Sequence, residues 1–192
     1  MIRDLFVFAA FVTSLAMTGC TGWAAANAGP TYSAAGRQGR TGGNASIDAI
    51  LTPQPHTVFN HGPTALPVGF HTAVETILTP DLKSFGWQSG LAIFWMPRPI
   101  AGFLVLGTDL HFDSVDGYFS FGNFQPYAQV GFVSSLGEGK FAPVFTLTGQ
   151  TEYFIHYLAY LHDDEPKTDL FVAIKLGIGF ELGGSSSLES AK

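Results

Sequence analysis

The stretch Thr168 to Leu182, TDLFVAIKLGIGFEL, decides the fold. Its even positions, Leu170, Val172, Ile174, Leu176, Ile178, Phe180 and Leu182, are all large and apolar. The odd ones, Asp169, Phe171, Ala173, Lys175, Gly177, Gly179 and Glu181, are mostly small or charged. A period of two is a strand whose two faces meet different surroundings.

The same alternation recurs upstream. Trp87, Ser89, Leu91, Ile93 and Trp95 alternate with Gln88, Gly90, Ala92 and Phe94, and the next strand carries Ile100, Leu104, Leu106, Leu110 and Phe112 on its bulky face. A two-residue turn at Pro97-Arg98 would pair Trp95 with Ile100, both bulky, so register and pattern agree. Phe119 and Phe121 are out of phase with Phe124, Ala128, Val130 and Phe132, which a bulge at Gly122-Asn123 would repair. Phe141 to Leu161 keeps one phase throughout; at about 3.3 Å per residue it overshoots a bilayer unless a break lies near Gly149. Ala45 to Pro53 is similar to Thr72 to Pro80, with Asp48 and Glu75 in the same phase, as expected of two equivalent strands.

Composition narrows the setting. A chain of 192 residues is one domain by size, and only 12% of it is charged, against about twice that in a soluble domain. The net charge of −6 and the lack of a Lys/Arg cluster exclude nucleic acid as a partner. No apolar run reaches the roughly 18 residues of a spanning helix, so any crossing of a membrane must be made by strands. The single cysteine rules out an internal disulfide. It follows Arg3, an apolar segment from Leu5 to Ala16, and Met17-Thr18-Gly19, the layout of a signal peptide. Gly22 to Gly43, made largely of Ala, Gly, Ser, Asn and Thr, reads as a flexible tether leading to a first strand around Pro30 to Gly36.

The polar faces hold Gly, Ala, Gln, Thr and scattered charges, while the bulky faces of the clearer strands hold no charge at all. Small polar residues suit a narrow lumen, which turns the bulky faces toward lipid. Trp87, Leu91, Ile93, Trp95, Leu104 and Leu106 are therefore expected to face lipid, with Trp87 and Trp95 in the two aromatic girdles. Glu75, Asp109, His111, Glu152, His156 and Lys175 are expected to form a polar network in the lumen, with His71, Tyr160 and His162 on the same side. Carboxylate and imidazole are metal ligands and general bases. Alternate positions on one strand lie about 6.6 Å apart, however, too far for a compact site without neighbouring strands. The network is accordingly read as a plug, with no metal, cofactor or catalytic residue, and Glu152 as the counter-charge of Lys175.

Two motifs resemble known signals. Met17 to Cys20 is similar to a bacterial lipobox, which implies a lipidated Cys20; Thr21 after it implies sorting to the outer membrane. In the last strand Lys175, Gly177, Phe180 and Leu182 resemble the closing-strand signature of outer-membrane β-barrels, although the chain continues past Leu182. The resemblance implies an all-β fold: a small antiparallel up-and-down transmembrane barrel of eight strands, in the OmpA/OmpX size class. The implied organisation is a leader at 1–19, a lipidated tether at 20–29, a barrel at 30–182 and a polar tail at 183–192. The implied partners are membrane lipid and the outer-membrane assembly machinery, and the implied role is structural or interactive rather than enzymatic. Two alternatives are a barrel-type lipid-modifying hydrolase and a lipid-tethered, lipocalin-like carrier, which would put the bulky faces inside.

Overall fold

The computed structural model describes residues 21–35, 40–52, 68–80, 82–95, 100–115, 118–137, 141–156 and 167–182. The leader, Cys20, the connection Gln54 to Leu66, Tyr160, His162 and the tail lie outside them. The strands are β1 (Thr21–Ala35), β2 (Thr41–Thr52), β3 (Val68–Leu78), β4 (Leu82–Trp95), β5 (Ile100–Val115), β6 (Tyr118–Ser135), β7 (Pro143–His156) and β8 (Lys167–Leu182). Each pairs antiparallel with the next, and β1 pairs with β8, which closes an eight-strand barrel. Closure leaves no edge strand with unpaired backbone groups, the condition for strands to stand in lipid.

The first strand corrects the expected tether. β1 begins at Thr21, with Gly22 opposite both Leu51 and Leu182. Its outward side is Ala24, Ala26 and Ala28, and small residues also interrupt its inward side, so no hydropathic alternation marks it as a strand. Ladders on both sides hold it instead. Between β4 and β5 the register is shifted by two residues from the expected one: Trp95 lies opposite Gly102, not Ile100. An even shift keeps every side chain on its face, which is why the pattern could not detect it. β7 runs unbroken through Gly149 and ends at His156. The bulge in β6 is where the phase change puts it: His111 faces Asn123 and Phe112 faces Phe121, with Gly122 as the extra residue. β2 and β3, the two similar segments, are adjacent and antiparallel.

The bulky faces point outward. Leu91 is 63% exposed, Leu106 57% and Trp87 54%, and Ile47, Phe85, Val130, Leu147, Leu176 and Ile178 continue the apolar surface around the wall. The shortest strand, β3, has 11 residues. At about 3.4 Å per residue and a tilt near 40° it spans about 29 Å, enough for an apolar band of about 25 Å. Trp87 sits mid-strand rather than near an end of β4, and its indole Nε1 donates to the hydroxyl of Thr72 at 2.8 Å on the same outer face. Thr72 is itself buried beneath the ring, and Thr76 Oγ1 donates to the Ser84 carbonyl at 2.9 Å. Polar atoms on this wall are thus satisfied by the wall itself.

Inside, the end where the barrel's first and last residues meet is filled by Trp23 packed against Phe94 and Phe103, with ring centroids 5.3 and 5.4 Å apart, together with Ile50, Ala92 and Val144. Ile77, Leu82 and Phe171 cluster at the opposite end. Removing the acceptor of Trp87 with Thr72→Val should destabilise the barrel by about 1 kcal/mol, measured by urea titration of the folded protein in detergent. A neutral result would mean that the indole is satisfied elsewhere.

Candidate functional site: the polar lumen

Between the two apolar ends the lumen holds charged groups that a closed wall cuts off from water. Each must find partners within the barrel, since an unpaired buried charge costs several kcal/mol. Glu75 on β3 is the hub. Its carboxylate accepts from Asn44 on β2 at 2.5 Å, from Gln150 on β7 at 2.9 and 3.0 Å, from Lys175 on β8 at 3.2 Å, and from Gln88 on β4. Lys175, fully buried, uses all three of its protons, on Glu75, on Gln150 Oε1 at 2.6 Å and on Ser46 Oγ at 3.0 Å.

From Ser46 the network continues toward the terminal end. Ser46 donates to Asp48 at 2.8 Å; Asp48 also accepts from Asn27 and pairs with His71 Nε2 at 3.2 Å; and His71 Nδ1 meets the Tyr127 hydroxyl at 2.7 Å. Tyr127 crosses from β6 to reach β3. It can do so because Gly90 and Gly107 line its path, and a methyl at either would come within 2.8 Å of the phenol. Gly177 plays the same part on β8. Thr146 on β7 donates to the side-chain amide oxygen of Asn27 on β1, across the intervening strand, through space a Gly177 side chain would fill.

Gln88 joins this half to a second cluster by donating also to Glu152 Oε1 at 2.5 Å. There His111 Nε2 lies 2.6 Å from Asp109 Oδ2 and 3.7 Å from Glu152 Oε1. Its Nδ1 lies 2.6 Å from Ser84 Oγ, which donates to Asp113 Oδ1 at 2.6 Å. The imidazole has room because Gly86 stands beneath it, where a Cβ would lie 2.6 Å from the ring.

The structure therefore brings Glu75, Asp109, His111, Glu152 and Lys175 into one lumen, and turns Trp87, Leu91, Ile93, Trp95, Leu104 and Leu106 outward. The side chain of His156 lies outside those described. The expected pairing of Lys175 with Glu152 is wrong: β7 and β8 are in register with Thr148 opposite Lys175 and Glu152 opposite Phe171. The hairpin is centred earlier than expected, and Lys175 reaches across the lumen to Glu75. Sequence reasoning puts Gln88 and Gln150 on the polar phase but names none of Ser84, Gln88, Gln125, Gln150 and Tyr127 for the network. The signal available for them was parity alone, since each falls on the inward phase of its strand. Ser84, His111 and Asp109 have the order of a nucleophile, base and acid, but each is 2% exposed or less. The hydroxyl of Ser84 also donates to Asp113 rather than to the ring.

No protein-family model matches the chain, and no curated protein matches it. Among solved structures it is similar to the crystal structure of Neisserial surface protein A (NspA), with a TM-score of 0.58 and 13% sequence identity, covering 84% of this chain and 96% of that one. The likeness is one of fold.

Lys175→Met should destabilise the barrel by about 3 to 5 kcal/mol, because Glu75 loses its counter-charge. Adding Glu75→Gln should recover much of the loss, and adding Glu152→Gln clearly less. Denaturant unfolding of the single and double variants gives the two coupling energies; equal couplings would contradict the Glu75 hub.

Proposed function

We propose that this chain is an outer-membrane β-barrel lipoprotein whose role is structural or interactive, with a lumen plugged rather than open. The observation that carries the reading is the sidedness of the wall: large apolar residues outside, and a hydrogen-bonded polar filling inside, capped by Trp23, Phe94 and Phe103. A lipocalin-like carrier needs the reverse arrangement. A lipid-modifying hydrolase needs its nucleophile within reach of an acyl chain, whereas Ser84 is buried in the lumen. The likeness in fold to NspA supports the same reading.

In this reading Cys20 carries the lipid after removal of the leader. Because β1 starts at Thr21, the acyl chains enter the membrane beside the barrel wall rather than at the end of a tether. A single chain is a weak anchor and the barrel a strong one. Cys20→Ala should therefore abolish labelling by a radioactive fatty acid while the protein stays in the outer-membrane fraction. Retained labelling would refute the lipid anchor, and release as a folded soluble protein would refute the spanning barrel.

Charge on the wall tests orientation by depth. Leu106→Lys should cost about 2 to 4 kcal/mol, whereas Leu78→Lys, at the last residue of β3, and Ile93→Lys, opposite its first residue Val68, should each cost about 0 to 1. Folding titrations into lipid vesicles read all three, and equal costs would sink the membrane placement.

A further inference from the structure

We propose that Asp109, His111 and Glu152 form a binding site for a divalent transition-metal ion of the zinc class inside the lumen. One ligand atom from each, a carboxylate oxygen or an imidazole nitrogen, lies within 4.8 Å of the other two, and all three residues are buried. Metal–ligand bonds of about 2.0 to 2.2 Å put adjacent ligand atoms roughly 3 to 3.5 Å apart. The spacings of 2.6 and 3.7 Å from His111 Nε2 straddle that range. Two residues of one strand are too far apart to chelate alone. Here the imidazole folds over Gly86 back toward Asp109, and Glu152 arrives from β7 as the third ligand.

Three further observations point to a cation. Asp109 Oδ1 is buried and has no hydrogen-bond partner among the described residues, and neither have Gln88 Oε1 and the amide oxygen and nitrogen of Gln125. Gln88 and Gln125 stand directly opposite Asp109 on the two neighbouring strands. Buried amides and carboxylates are ordinarily satisfied, and a cation seated on Asp109 would engage their oxygens. The tautomer also fits. Ser84 donates its proton to Asp113 Oδ1, so its oxygen accepts from His111 Nδ1–H and Nε2 is the ring atom turned toward Asp109 and Glu152, where an ion would take the place of a shared proton. An outer relay of this kind orients metal-binding imidazoles. Charge balance agrees: among the described residues of this network Asp48, Glu75, Asp109, Asp113 and Glu152 are buried with one ammonium, Lys175, and two imidazoles, His71 and His111. A mixed carboxylate and imidazole set suits zinc, manganese, iron(II) or cobalt better than the soft copper(I).

The site lies within the wall, so the ion is best offered during folding. The full barrel would be stripped with chelator, refolded in detergent with Zn2+ or with Co2+ as a visible probe, and desalted against a weak chelator. One retained ion per chain, visible Co2+ absorption bands and a raised melting temperature are expected. Asp109→Asn and Glu152→Gln should each weaken retention at least about 100-fold, and Asp113→Asn about 10- to 100-fold through the tautomer. His71→Gln should retain the full ion. No retained Zn2+ and no Co2+ spectrum in the folded wild type would overturn the proposal even if a variant fails to fold. Unchanged retention in folded Asp109→Asn would overturn it as well.

Discussion

The bond set around Glu75 is the constraint on which the rest of this barrel depends. A carboxylate sealed in a closed sheet has no solvent to fall back on. Here its donors come from β2, β4, β7 and β8, four strands of the seven besides its own. Each of those strands must present the right residue inward, so the hub fixes their parity at once. A slip of one residue in any of them would remove a donor from Glu75 and push an apolar side chain into the network. The polar filling thus defines register as much as it fills space, a role best attested for buried polar groups elsewhere.

The outside follows from the inside by alternation. An eight-strand barrel has an interior just wide enough for side chains to fill. Long groups such as Tyr127, Lys175 and His111 fit only where the facing wall gives way, and glycine is what gives way. Glycine weakens a strand by adding unfolded-state entropy and offering nothing to pack. At Gly86, Gly90 and Gly107 that loss makes room for a hydrogen bond across the lumen. The high glycine content, 23 residues, makes sense partly in those terms.

Much of this was legible in the sequence, and what was not has physical reasons. The period of two carried the strands from β2 onward and told the wet side from the greasy side, because strands such as β4, β5 and β8 have one large apolar face and one small or polar face. β1 escaped, since alternation between Ala and Gly or Asn has almost no amplitude. The bulge at Gly122 was readable because an odd insertion flips the phase, whereas the two-residue shift of Trp95 was not because an even one does not. The ion pair of Lys175 failed for a different reason. Pairing along a hairpin is a local inference, and a side chain long enough to cross the lumen is not bound by it. His111 was read with Asp109 correctly as neighbours on one face. That they meet Glu152 depends on barrel closure, which the alternation of no single strand expresses.

Gly177 gives the closing seam an unusual character. In a simple ladder β1 could peel from β8 by parting their shared backbone bonds one after another. Here a hydroxyl from β7 reaches over the glycine and grips Asn27 on the far side of the joint, while Asn27 in turn holds Asp48 on β2. Strands on both sides of the seam are stitched together behind it, so peeling would have to tear a cross-tie as well as the ladder. Such a seam resists opening sideways, and its cross-tie is complete only when β7, β8, β1 and β2 are all in place.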